Sequence, residues 1–313
     1  MINTVPSGGR RLAAFGLALL SGLAANAQPQ PVTARMENDT VVVEVAGTPF
    51  THYRFAADQK YPYFFPVNGP ASGRTITVHQ TEPYPHHSSI FFGCDRVNGG
   101  NYWQEGNDRG QIVPLKTRLV QAAGEAVVIE QHCRWQRPGA PAPFEDSRRI
   151  TIKAPAPDRR TIEFDVTWNP LIDVNIQRNN HALFSARLAP DLCVKGGGTL
   201  VNAAGDSGEQ DTFGKVSPWM DYSGERDGVR EGLAILSHPA NRWHPPQWFT
   251  RDYGFFSPTP MNWLPDGGLN LKPGETIRLR YLAVVHRGPL DRESLDHLLA
   301  DWVKGKAGAG QAP

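Results

Sequence analysis

The chain has 313 residues, with 32 Lys and Arg against 31 Asp and Glu, and its formal net charge of +1 is spread without clusters. That balance offers no electrostatic footprint for nucleic acid, so no nucleic-acid partner is expected. Its 3 cysteines, Cys94, Cys133 and Cys193, include no C-x-x-C pair, which argues against a thiolate zinc site; the odd count excludes a disulfide framework, leaving one bridge plus a free thiol open.

Arg10 and Arg11 precede an apolar run from Leu12 to Leu23 and then Ala25-Asn26-Ala27. Charge, apolar stretch and A-x-A site in that order predict a signal peptide over 1–27, cut before Gln28, and a periplasmic or secreted protein. The run is too short and too rich in Ala and Gly to span a bilayer comfortably, and no later run is long enough. No membrane span is therefore expected after cleavage. Residues 28–37 read as a linker, 38–305 as one domain and 306–313 as a disordered tail.

From Thr40 the apolar pattern has a period of two. Val41 to Val45, Thr75 to Val78, Ala126 to Trp135, Arg149 to Lys153, Thr161 to Trp168, Ala182 to Leu188, Leu233 to Leu236 and Thr276 to His286 are the expected strands. Ile162, Phe164, Val166 and Trp168 share one face, as do Ile277, Leu279, Tyr281, Ala283 and Val285. Gly and Pro, 31 and 27 of them, punctuate these runs and no long helix intervenes. Parallel strands would need crossover helices, so the expected fold is all-β, a large antiparallel β-sandwich, with the galactose-mutarotase-like kind one candidate. One helix is expected, at the C-terminus. Asp291 caps Arg292 to Lys304, and Leu295, Leu298, Leu299, Trp302 and Val303 make one apolar stripe.

Chemistry concentrates in two segments. Tyr84-Pro85-His86-His87 leads through an apolar run to Asn98 and then Tyr102-Trp103. Adjacent side chains on a strand point to opposite faces, so two neighbouring imidazoles share a pocket only if the chain bends. The second segment runs from Phe213 to Phe256 and holds Lys215, Trp219, Asp221, Tyr222, His238, Trp243, His244, Trp248 and Arg251. Trp and Tyr faces stack on the C–H face of a sugar while polar groups bond its hydroxyls. Asn98, Trp103, Trp219, Tyr222, Trp243 and Trp248 are accordingly the expected saccharide-binding residues. His86, His87, His238 and His244 are the expected acid–base groups, with Lys215 and Arg251 to hold negative charge. Among the carboxylates Glu82, Asp95, Glu105, Asp173, Asp221 and Asp252, Asp221 is the first choice. The sequence marks no certain cofactor; His86, His87, His181, His238 and His244 leave a His-bound divalent metal open, although no H-x-H or H-x-x-x-H spacing supports one. There is no P-loop and no G-x-S-x-G elbow.

Tyr61-Pro62-Tyr63-Phe64-Phe65-Pro66-Val67-Asn68-Gly69-Pro70, Pro85-His86-His87, Phe92-Gly93, Val97-Asn98-Gly99, Phe213-Gly214-Lys215, Trp219, Asp221-Tyr222, His238-Pro239, Asn241, His244-Pro245, Trp248 and Val285-His286-Arg287-Gly288 occur in that order. In this the chain resembles a bacterial domain of unknown function labelled "PmoA-like". It departs at Ser88-Ser89, where the usual pattern has Arg-Gly, and at Ser237, where it tends to have Asp. The label implies a methane-oxidising enzyme, but a membrane monooxygenase subunit would need spanning helices that this sequence lacks after its signal. What the resemblance implies instead is an exported protein found with polysaccharide-degrading or sugar-oxidoreductase systems. Residues and resemblance together lead to an exported carbohydrate-active enzyme, a lyase or hydrolase. A non-catalytic glycan-binding protein and a structural envelope protein are the alternatives, and the oligomeric state is open.

Overall fold

The computed structural model describes residues 1–4 and 28–305. Save those first residues, the expected signal peptide and C-terminal tail lie outside the described range. In chain order the strands are β1 (Val32–Glu37), β2 (Thr40–Val45), β3 (Thr48–Arg54), β4 (Tyr63–Val67), β5 (Ile90–Cys94), β6 (Gln111–Gln121) and β7 (Ala123–Gly124). The long β8 (Ala126–Gln136), β9 (Phe144–Ala156) and β10 (Arg159–Pro170) follow, then β11 (Val174–Ile176), β12 (Ala182–Arg187) and β13 (Thr199–Asn202). A short helix, α1 (Gly208–Thr212), leads to β14 (Trp219–Arg226), β15 (Val229–Ser237), β16 (Trp248–Thr250) and β17 (Phe255–Pro258). The chain then forms β18 (Leu269–Leu271), β19 (Ile277–Arg287) and a C-terminal helix, α2 (Arg292–Val303).

Among the described residues these strands make a nine-stranded sheet, β16-β17-β12-β5-β4-β3-β2-β1-β7, an eight-stranded sheet, β13-β14-β15-β19-β10-β9-β8-β6, and the ribbon β11-β18. The pairings at the centre of each sheet are antiparallel, for example β10 with β19 and β5 with β12. The fold is an all-β antiparallel sandwich. Phe92 of the nine-stranded sheet meets Trp135, Phe164 and Trp168 of the other at ring separations of 6.4, 5.5 and 5.7 Å, and Phe184 stacks on Tyr281 at 5.1 Å. The alternating apolar residues of β10 and β19 thus supply one wall of the core, as their period requires.

One polar cluster interrupts this core. Arg148 and Asp146, both with fully buried side chains, pair at 2.7 Å, and Asp146 also accepts from the Trp135 indole at 2.7 Å. Arg148 reaches across to the Tyr53 hydroxyl, which in turn donates to Gln131. The cluster therefore joins β3 of one sheet to β8 and β9 of the other.

The opposite face of β14, β15 and β19 is covered by α2. Asp291 accepts from the Ser294 N–H at 2.8 Å, and Leu295 and Trp302 bury against Trp219, Ala234, Leu236, Leu282 and Val284. Val303, expected in the stripe, is exposed.

Several boundaries differ from expectation. The linker expected over 28–37 becomes strand from Val32, paired with β2 throughout. Thr75 to Val78 forms only isolated bridges, Asn68 with Thr75 and Thr77 with Leu188. There the Thr75 hydroxyl bonds the Thr77 backbone and competes with a ladder. Trp219 to Tyr222, not among the expected strands, lies in strand β14, with Tyr222 inside and Trp219 beneath α2. All three cysteines are free and buried.

Candidate functional site

In the nine-stranded sheet β16, β17, β12 and β5 lie side by side. Phe92, Phe184 and Phe256 point into the sandwich, where they meet Trp168, Tyr281 and Tyr222. Alternation then turns Phe91, Arg187 and Phe255 outward, onto a face that loops cover.

The segment from His79 to Ser89 is one of those covers, and it bends. His79 bridges to Ser88, the His87 N–H donates to the Tyr84 carbonyl, and Gln80 N–H donates to the His87 carbonyl. Tyr61, stacked on Phe91 at 4.9 Å, donates its hydroxyl to the His86 carbonyl at 2.6 Å. Ser89 takes φ +61 and returns the chain to strand. The bend brings the His86 and His87 rings together at 4.5 Å, edge to face. His181, arriving from the far side of β5, meets His86 edge-on at 5.5 Å. Asn179 places it: the amide accepts from the His181 N–H and donates to the Asp95 and Gln177 carbonyls.

These three imidazoles line a cavity of about 330 Å³ together with Tyr84, Gln104, Asn180, Phe249, Arg251, Tyr253 and Phe255. Its floor is aromatic. Phe255 stacks on His87 at 4.6 Å, and Trp103 lies under His181 and Phe91 at 6.1 and 4.7 Å. Lys60 fixes one rim by donating to the carbonyls of Asn101, Gly106 and Gly110.

Burial holds the imidazoles uncharged. It pushes His87, 4% exposed, down to about 2 and His181 down to about 4, with His86 and Arg96 adding repulsion. His86 is lowered by burial and then by Arg187. Asp95 stands 3.9 Å from His181 but does not reverse this, since the distance exceeds a hydrogen bond and burial raises the Asp95 carboxyl too.

The opposite rim is the β16–β17 turn. Arg251 pairs with Glu209 at 3.0 Å and lies over Phe249 and Phe213 at 4.1 and 4.8 Å. Glu209 and Asp252 exchange hydrogen bonds that tie α1 to the turn. The turn needs Gly254 at φ +104, where a Cβ would approach the Leu188 carbonyl to 3.0 Å. Tyr222 donates beneath it to the Asp252 carbonyl at 2.9 Å.

The expected residues thus divide. His86, His87 and Arg251 share the cavity, while Trp103 does not line it: fully buried, it packs beneath His181 and Phe255. Tyr222 and Trp248 are buried supports, the latter donating to the Ser217 carbonyl. His238 lies elsewhere, bonded to Arg280 at 2.8 Å and edge-on to Trp302 at 4.8 Å. His244 lies outside the cavity, its Nδ1 buried without a partner. Trp219 donates to Asp296 of α2. Asp221 pairs at 2.9 Å with His286, which burial alone would lower but the carboxylate holds above its usual value. Asn98 latches a turn onto Asp173 and Asn175, and Trp243 packs against the main core beside Arg242. Lys215 is exposed away from the cavity. The cause of this division is topological. Residues 238–247 carry the chain from β15 in one sheet to β16 in the other, so only the end of that segment reaches the site. Among the described residues no three His, Cys, Asp or Glu side chains are arranged to hold a metal.

A family model described as a family of unknown function, DUF6807, matches residues 40–300. The chain belongs to that family. No curated protein is significantly similar to it. Solved structures with a similar fold include galactose 1-epimerase from Lactobacillus acidophilus NCFM, at 9% identity over 84% of this chain and 100% of that one, TM-score 0.39. The GalM/aldose epimerase homologue from C. elegans matches at 9% identity over 84% of this chain and 100% of that one, TM-score 0.29. A mutant of heparan sulfate lyase HepC from Pedobacter heparinus matches at 10% over 85% of this chain but only 36% of the lyase, TM-score 0.32. Likeness at these values says nothing about activity, and the sandwich stands on its own strand pairing.

Sequence reasoning missed Tyr84, Gln104, Asn179, Arg187 and Tyr253 as parts of this site. Arg187 did leave a signal: it is the one charge in the apolar run Ala182 to Leu188, and a cation inside a strand buried on both faces calls for a reason.

A larger hollow of about 600 Å³ lies on the outer face of the eight-stranded sheet, between Lys116, Glu130, Arg149, Asp165 and Arg278. Its charges largely satisfy one another: Arg118 and Arg149 pair with Glu130, and Arg278 with Asp165. Its one imidazole, His132, is held by Glu145 at 3.0 Å, and no Phe, Tyr or Trp lines it, so the smaller cavity is the candidate site.

Proposed function

We propose that this protein is an exported carbohydrate-active enzyme, a lyase or hydrolase, acting on a saccharide in the His86–His181 cavity. The observation that carries this reading is the convergence of three uncharged imidazoles over an aromatic floor. A neutral imidazole with an exposed edge accepts a proton at physiological pH, and the ring faces suit a sugar. His86 and His181, both partly exposed, are the proton acceptors, and Tyr253, whose hydroxyl burial keeps protonated, is the donor on the cavity wall; His87 is too deeply buried to take a proton and positions His86 by its edge-to-face contact. The aromatic rim of Phe213 beside Arg251 extends the saccharide surface.

Replacing His86 or His181 by Ala should lower turnover of a cleaved glycan by roughly 100-fold or more. The melting temperature should stay within a few degrees. A glycan that binds the cavity yet is released unchanged by wild-type protein would sink the enzymatic reading in favour of a binding protein. Export is tested by fractionating cells and sequencing the mature N-terminus, expected at Gln28.

A further inference from the structure

Arg187 is 5% exposed, and its Nε and Nη1 have no hydrogen-bond partner. Its guanidinium carbon lies 4.2 Å from the Tyr253 ring centroid and 5.7 Å from that of Tyr84. Both rings line the cavity and stack on each other at 4.5 Å. The groups that act on it most strongly are Tyr253, Cys193, Tyr84 and Tyr222, none of them a carboxylate.

Among the other buried arginines, Arg148 is paired with Asp146, Arg226 with Asp191, and Arg280 with Glu163. Arg160 also has Nε and Nη1 without a partner, but a carboxylate, Glu231, acts on it and it lines none of the cavity; what sets Arg187 apart is its contact with two rings of the cavity wall. Ring faces attract the Arg187 charge, but they do not accept its in-plane N–H groups. A buried cation with unused donors is retained against a cost, and that cost is relieved when an anion arrives.

We infer that the cavity recognises a sugar bearing an oxyanion, a uronic acid carboxylate, which pairs with Arg187 beside the stacked rings of Tyr84 and Tyr253. The inference rests on the saccharide reading above and adds the substrate class to it. The guanidinium fork takes a carboxylate through two parallel hydrogen bonds. Arg251, at the other rim, is already held by Glu209, so the cation without a carboxylate partner next to the cavity is Arg187, in contact with its Tyr84 and Tyr253.

The test is calorimetric binding of a galacturonate trisaccharide, a glucuronate disaccharide, their neutral galactose and glucose counterparts, a sulfated galactose and acetate. Wild-type protein, Arg187→Met and Arg187→Lys are compared, with the melting temperature of each. A uronate should bind at least about tenfold more tightly than its neutral counterpart. Arg187→Met should erase that preference without lowering the melting temperature, because it removes an unpaired buried charge. Arg187→Lys, which keeps the charge but not the fork, should retain part of it.

Equal affinity of wild type for uronate and neutral sugar overturns this inference while leaving the saccharide reading intact. Acetate binding as tightly as any uronate keeps the anion site and overturns the saccharide reading instead. A preference for the sulfated sugar overturns the carboxylate assignment. A loss of melting temperature in both variants, in step with lost binding, gives Arg187 a structural role and overturns the proposal.

Discussion

His181 sits where two influences compete, and burial wins. Its imidazole is pushed down to about 4, against about 6.5 in an unfolded chain. Between those values the unfolded state binds more protons than the folded one. Stability is therefore fully present above pH 6.5 and falls as the pH drops through 4. The shift caps this contribution at about 3 kcal/mol. His181→Gln should lose less stability than wild type between pH 7 and pH 4.5, measured by urea midpoints. An identical acid loss in both would show that His181 is not held uncharged. His286 works in the opposite sense: Asp221 raises it, so its contribution is complete below 6.5 and fades as the pH rises through the folded value. The two effects occupy different pH ranges and can be separated.

At the scale of elements, the buried pair on β9 is the sharpest case. Asp146 and Arg148 satisfy each other, Trp135 and Tyr53 inside the core. Removing one partner leaves an uncompensated buried charge, so Asp146→Leu should cost about 3–5 kcal/mol. Asp146→Leu with Arg148→Met should recover much of that loss in a double-mutant cycle by chemical denaturation. Simple additivity of the two single losses would mean that the pair is not coupled.

The long strands β8, β9, β10 and β19 were legible in the sequence because one face of each is polar over much of its length and the period of two shows. The strands that build the site were harder. β5, β16 and β17 are five, three and four residues long and buried throughout, so no alternation marks them; β12, expected over Ala182 to Leu188, was the exception. The bend at His86 and His87 was legible from the Pro-His-His order. That His238 and His244 serve the other sheet was not, because a crossing between sheets leaves no periodic trace. Arg187 was read as an ordinary strand position; what sets it apart is a missing partner, and a missing partner is invisible until the fold places the neighbours.

Over the whole molecule, a single buried apolar cluster runs from Val32 to Val285 and draws on both sheets. Urea unfolding followed by tryptophan fluorescence and by far-ultraviolet circular dichroism should give coincident curves. Two separated midpoints would show that the sheets hold independent cores. The outer faces are used differently: the eight-stranded sheet gives part of its face to α2 and part to paired charges, while the nine-stranded sheet gives its β16–β5 end to the cavity.

That end of the sheet joins β5, β12, β16 and β17, which neighbour one another in space but come from residues 90–94, 182–187 and 248–258. Contacts between segments so far apart along the chain form late, after long loops have closed. The cavity therefore cannot exist in a partly made molecule. A growing chain emerging from synthesis would carry His86 and His87 long before it could offer them a pocket. Binding at the proposed site would in effect certify completed folding.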